Sequence, residues 1–127
     1  MPRIHIADNL PFVSLVIHMN DKKLPLQRVL LDTGAARTTF RTRDLEKLGI
    51  IVRREDSVRY MAGIGGIEDV VEKQITAVEV GDLIVSPFTI YLGAMKYGIP
   101  MNGILGLDFL LQSGAVIDLK VLEIRKG

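Results

Sequence analysis

The chain has 127 residues, with 16 basic against 15 acidic side chains and a formal net charge of +1, so it makes no electrostatic case for nucleic acid or an anionic membrane as partner. A hydrophobic fraction of 48% beside 24% charged residues describes a globular chain with its own core and excludes disorder. There is no cysteine, which rules out disulfides, thiolate catalysis and cysteine-held zinc and is compatible with a reducing cytoplasm, the expected setting.

Residues 1–10 are polar and charged and have no apolar signal-peptide core. His5 and His18 lie in apolar stretches without metal-ligand spacing, so neither metal nor cofactor is expected. Residues 12–17 are β-branched and aromatic and read as a strand. A polar turn over 20–23 returns the chain into a second strand over 26–31, a hairpin that delivers Asp32 to a loop. Residues 42–49 read as a short helix, with Thr42 as N-cap, Leu45 and Leu48 inward and Gly49 as the stop. Strands are expected over 57–61, 67–71, 75–80 and 88–92. The first two are joined by the glycine-rich tip Ala62-Gly63-Ile64-Gly65-Gly66. Gly103-Ile104-Leu105-Gly106 leads into a second short helix from Leu107, which Ser113-Gly114 ends. Apolar stretches at 116–119 and 121–124 read as closing strands. No apolar run approaches the length of a membrane span. No repeat, linker or low-complexity stretch divides the chain, so residues 1–127 are expected to form one domain.

The chemistry concentrates at Leu30-Leu31-Asp32-Thr33-Gly34-Ala35. A carboxylate at the end of a buried strand is expensive unless it is paired, hydrogen-bonded or protonated. Gly34 allows a sharp turn and close approach of another chain. Taken alone, the motif also fits an ordinary turn acid. Three features then follow one another: Asp32-Thr33-Gly34-Ala35 after a strand, the glycine-rich hairpin around Ile64, and Ile104-Leu105-Gly106 before a helix. In this order the chain resembles the retropepsin family, the retroviral-type aspartic proteases with their cellular and prokaryotic relatives. The resemblance runs from about residue 12 to residue 124.

The resemblance implies an all-β, closed-barrel fold with one or two short helices and half an active site per chain. Asp32 would be the catalytic carboxylate, and its partner would be Asp32 of a second copy, on a twofold axis. Two such carboxylates cannot both ionise cheaply. They share a proton, so that one activates water while the other polarises the scissile carbonyl. Thr33 would bond across to the partner's loop. Gly34 would present its backbone to substrate, beside Ala35 and Ala36. Gly63, Ile64 and Gly65 would form the tip of a flap over the peptide. Ile104 would line an apolar tunnel, while Leu105 and Gly106 pack behind the loop. Asp108 would have a capping or supporting role. The termini, with 4–6 and 121–124 as candidate strands, could contribute to the dimer.

Retroviral members carry acidic residues directly after Asp-Thr-Gly-Ala, where this chain has Ala36 and Arg37. They also carry a basic residue ahead of the C-terminal helix, which the stretch Gly106-Leu107-Asp108 of this chain lacks. Both halves of that charge pair are absent together, and Arg37 could instead favour an acidic group on the substrate. The expected function is that of a homodimeric aspartic endopeptidase acting on a peptide or protein, without metal. The alternative is a retropepsin-like dimerisation or peptide-binding module without catalysis. A phosphate-binding loop lacks its Gly-Lys-Ser/Thr ending, and a metal hydrolase lacks a His or acid cluster.

Overall fold

A computed structural model of the chain describes residues 3–63 and 66–127, with side chains described outside 59–68. Ile64 and Gly65, placed above at the flap tip, lie outside the described residues.

Strand β1 (His5–Ala7) pairs with β2 (Leu10–Met19), which forms a long antiparallel hairpin with β3 (Lys22–Leu31). The turn is only Asn20-Asp21. Lys22 already pairs with Met19, and Asn20 takes a left-handed backbone at φ 56°. Along β2 the residues Val13, Leu15 and Ile17 alternate into the main core. Strand β3 changes phase. Leu24 and Leu26 pack against that core, but so do Val29 and Leu31. The cause is a bulge: Val13 pairs with Val29 and Leu15 with Leu26, so Gln27 and Arg28 together face Ser14. Arg28 is the residue that absorbs it, with φ 57°. The phase change leaves Leu30 on the other face, packed against a smaller cluster of Phe12, Met95 and Met101.

Strand β4 (Thr39–Arg41) runs straight into helix α1 (Thr42–Leu45), and a 3-10 turn over Glu46–Leu48 follows. The N-cap position is therefore Arg41, not Thr42, and no side chain caps the helix. Thr42 is already helical, and its hydroxyl turns to the carbonyl of Gly93. Gly49, at φ 77°, stops the helix as expected.

Strands β5 (Val58–Gly63) and β6 (Gly66–Ile75) form the second hairpin, in a register that sets Gly63 opposite Gly66. Strand β6 runs unbroken to Ile75, beyond the end expected at residue 71. Its pairing with β9 (Phe88–Gly93) continues from Val71–Leu92 to Ile75–Phe88. Between them β7 (Ala77–Val80) and the unforeseen β8 (Leu83–Val85) form a short hairpin.

Strand β10 (Gly103–Leu105) leads into helix α2 (Leu107–Ser113), ended by Gly114 at φ 67°. Strands β11 (Ala115–Asp118) and β12 (Glu123–Lys126) make a separate two-stranded sheet. The last strand begins two residues later than expected. The Asp118 carboxylate accepts the N–H groups of Lys120 and Val121, at 2.9 and 3.2 Å, and holds 119–122 as a turn. The N-terminus is tied to this sheet within the chain. Arg3 bridges Glu123, and Ile4 N–H donates to Leu122 O at 2.8 Å.

The other ten strands make one sheet, in the order β5-β6-β9-β4-β10-β3-β2-β7-β8 with β1 on β2. The barrel expected from the sequence takes the form of this curled half-barrel, wrapped around Ile17, Phe40, Leu45, Ile90, Leu92, Leu105 and Phe109. Phe109 meets Phe88 edge-on, with ring centres 5.8 Å apart, so α2 closes the core. Among the described residues, no helix is long and apolar enough to cross a membrane.

Candidate active site

Strand β10 builds the site by lying between two strands that are neighbours in sequence. It runs parallel to β3, with Ile104 beside Leu30 and Leu105 beside Leu31. It runs antiparallel to β4, with Gly103 beside Phe40 and Ile104 beside Thr39. The link from β3 to β4, residues 32–38, must therefore arch over the end of β10. It is stitched there at both limbs. Asp32 N–H donates to Leu105 O at 3.0 Å, and Leu107 N–H donates to Ala35 O at 2.7 Å.

Close approach is possible because Gly106 has no side chain. A Cβ there would fall 2.7 Å from the carbonyl carbon and oxygen of Arg37 and 2.8 Å from Ala35 O. Gly103 is needed for a similar reason, since its Cβ would lie 2.6 Å from the fully buried ring of Phe40.

Within the arch, Asp32 Oδ1 accepts the N–H of Gly34 at 2.9 Å, and Ala35 N–H donates to Asp32 O at 3.2 Å. This turn fixes one carboxylate oxygen, and the other has no protein partner among the described residues. Asp32 is half-buried. The burial cost anticipated from the sequence is thus offset in two ways, by one good hydrogen bond and by remaining partly open. A Cβ at position 34 would sit 3.3 Å from Oδ1 and press on that carboxylate. Thr33 and Ala36 are exposed, and Ala35 is half-buried. The Thr33 hydroxyl makes no hydrogen bond among the described residues.

Beneath the arch lies a buried polar joint. Thr38 is fully buried. Its hydroxyl donates to Asp108 Oδ1 at 2.6 Å and accepts from Gly106 N–H at 3.0 Å. Its own N–H donates to Asp108 Oδ2 at 2.9 Å, and Asp108 Oδ1 also accepts Phe109 N–H. The start of α2 is thereby locked to the end of the arch. Asp108 has the supporting role expected of it, whereas Thr38 escaped the sequence reading. The one signal for Thr38 was a threonine just after the Asp-Thr-Gly-Ala turn, and its partner is 70 residues away.

Two neighbours complete the site. Ile104 is half-buried and joins Leu30, Phe12, Met95, Met101 and Tyr97 in the smaller apolar cluster, on the side of the sheet away from the main core. Arg37 reaches across to β9, where its Nη1 donates to Tyr91 Oη at 2.7 Å and its guanidinium lies 5.0 Å from the ring centre. Tyr91 in turn donates to Glu72 of β6 at 3.0 Å. Desolvation, then the bond to Glu72, raises the Tyr91 hydroxyl above the usual tyrosine range and keeps it protonated. The arch is thus tied to the stem of the β5–β6 hairpin, whose tip bears Gly63.

The structure therefore gathers Asp32, Thr33, Gly34, Ala35 and Ala36 on one arch, with Ile104 in the strand beneath. Gly63 stands at the end of a separate hairpin, and nothing is described of Ile64 and Gly65. Among the described residues, no group of three or more His, Asp or Glu is arranged to hold a metal ion.

A family model described as aspartyl protease matches residues 15–109, a span that takes in the arch, the hairpin, β10 and the start of α2. No curated protein matches the sequence. Among solved structures, the chain is similar to a retropepsin-like aspartic protease from Rickettsia conorii. The TM-score is 0.66 at 20% identity, over 98% of this chain and 97% of that one. At that identity the likeness establishes the fold. With its fold retropepsin-like and most of its length matched by the family model, the chain belongs to the aspartyl protease family.

Proposed function

We propose that the chain, as one domain over residues 1–127, is an aspartic endopeptidase that works as a homodimer. The observation that carries this reading is the Asp32 arch. A carboxylate is held by one oxygen, left partly open, and supported from beneath by a buried joint that a simple turn does not require.

One carboxylate cannot perform the chemistry. Water attack on an amide needs a base to take a proton from water and an acid to polarise the carbonyl. Two Asp32 carboxylates brought together by twofold symmetry supply both, because the pair retains one proton. The water adds to the carbonyl carbon, and its proton passes to the ionised Asp32. The other Asp32 donates a hydrogen bond to the developing oxyanion. Collapse of the tetrahedral intermediate breaks the C–N bond and returns a proton to the leaving amine. No covalent enzyme intermediate forms.

The remaining assignments follow the same reading. Thr33, exposed and with a hydroxyl that makes no hydrogen bond among the described residues, reaches the partner's arch. Gly34, Ala35 and Ala36 present backbone to the peptide. The hairpin tip from Gly63 through Ile64 to Gly65 closes over the peptide and excludes water. Ile104 and its apolar neighbours receive a hydrophobic side chain next to the scissile bond.

The test is a diverse peptide library incubated from acid to neutral pH with the wild type and Asp32→Asn in parallel, read by mass spectrometry. Cleavage by the wild type alone, with a bell-shaped pH profile, supports the proposal. Equal traces from both proteins, with Asp32→Asn folded, would replace it with a non-catalytic binding or dimerisation module.

A further inference from the structure

Arg37 is the side chain near Asp32 that the mechanism leaves without a task. It lies five residues beyond Asp32 on the same arch, and its backbone is packed on Gly106. It is exposed, yet its guanidinium is held still. One N–H donates to Tyr91 Oη at 2.7 Å, and the guanidinium carbon lies 5.0 Å from the centre of the Tyr91 ring. A hydrogen bond joined to a cation–π contact restrains a long, flexible side chain before any ligand arrives. No carboxylate among the described residues pairs with it directly. Glu72 reaches it only through the Tyr91 hydroxyl, which remains neutral. One donor of five is thus spent on a neutral acceptor, and no other hydrogen bond to the fork is present among the described residues.

The position of the fork fixes what it can meet. On one side is the arch that carries Asp32. On the other is β6, the strand that continues into the Gly63–Gly66 hairpin. On the endopeptidase reading, a peptide that lies along the arch to reach Asp32 passes close to the fork. We infer that Arg37 is a specificity-determining residue, which binds in bidentate fashion a carboxylate carried by the peptide substrate close to the scissile bond. The inference rests on the endopeptidase reading. The geometry admits either an acidic side chain or the free C-terminus of a short peptide, since both present two coplanar oxygens. The apolar cluster around Ile104 would take a hydrophobic neighbour, so the favoured substrate pairs an apolar residue with an acid.

The experiment uses short peptides with apolar residues at two central positions. Glu or its neutral isostere Gln is placed at each other position in turn, and the C-terminus is either free or amidated. Cleavage by the wild type is compared with cleavage by Arg37→Met, which keeps the stem, and Arg37→Lys, which keeps only the charge. Binding of the same peptides to Asp32→Asn, and to Asp32→Asn carrying Arg37→Met, is measured in parallel.

The expected result is a preference of the wild type, on the order of 10- to 100-fold, for the acid over the neutral peptide at one position. It should fall close to unity in Arg37→Met and be only partly retained in Arg37→Lys. A response to Glu against Gln identifies a side-chain carboxylate, and a response to amidation identifies the C-terminus. Equal cleavage of acid and neutral peptides by the wild type overturns the inference and leaves the endopeptidase reading standing. Absence of Asp32-dependent cleavage, with Arg37-dependent binding of acidic peptides, sinks the endopeptidase reading and keeps the recognition. Absence of both sinks both.

Discussion

The two glycines that flank α2 separate space from backbone freedom. Gly106 has an ordinary extended backbone, at φ −93° and ψ 179°, so alanine suits its conformation and fails only on space. The obstructing atoms belong to the backbone of the Asp32 arch itself. Gly106→Ala should therefore lose about 1–3 kcal/mol in a urea titration and lose Asp32-dependent cleavage as well. Gly114 is the opposite case, with open space around it but a left-handed backbone at φ 67°. Gly114→Ala should lose about 1–2 kcal/mol and leave the cleavage rate per folded molecule unchanged. Thr38→Val tests the joint below. It keeps the shape but leaves Gly106 N–H unpaired in a buried place and takes one of two bonds from Asp108 Oδ1, so a loss of about 1–3 kcal/mol is expected in the same titration. At this scale much was legible. Asp32 and Gly34 interact across two residues, and a motif that short carries its own turn. Thr38 and Asp108 did not announce each other, because neither sequence neighbourhood shows that β10 passes between β3 and β4.

Among the elements, the segment leading into β5 is fastened by a single carboxylate. Asp56 accepts the N–H of Arg53 and the ammonium of Lys73 on β6, the latter at 2.9 Å. The Arg53 bond first, and then Lys73, hold Asp56 below the usual carboxylate range. A carboxylate lowered on folding stabilises the protein above its unfolded pKa, about 4, and that contribution disappears as the pH falls through the lowered native value. Thermal midpoints of wild type and Asp56→Asn should differ at neutral pH and converge well below pH 4. A difference that widens with acid would contradict the assignment. The β2–β3 and β5–β6 hairpins and the helix stop at Gly49 could be read from turn residues and alternation, which are local signals. The phase change in β3 could not. Arginine does not advertise a left-handed backbone, and the bulge at Arg28 is defined only by the pairing of Val13 with Val29 and Leu15 with Leu26. Strands as short as β4, β8 and β10 take their identity from neighbours far along the chain. The late start of β12 is similar, because the Asp118 side chain consumes the N–H groups that an earlier strand would use.

For the molecule as a whole, the decisive fact is arithmetic. Each chain has one Asp-Thr-Gly, and the proposed chemistry needs two carboxylates. The half-barrel was foreseeable from the order of motifs, but the surface on which two copies would meet was not. The terminal strands, considered from sequence as parts of an intersubunit sheet, are joined within the chain through Arg3–Glu123 and Ile4–Leu122. If the site is composite, specific activity should fall on dilution below the dimer dissociation constant, and sedimentation over the same range should show the monomer appearing. The most direct measurement is peptide cleavage by wild type and Asp32→Asn refolded together in varying proportion at fixed total concentration. A mixed dimer has one Asp and one Asn and cannot share a proton, so activity should follow the square of the wild-type fraction. Activity proportional to that fraction would place a complete site in one chain and contradict the account.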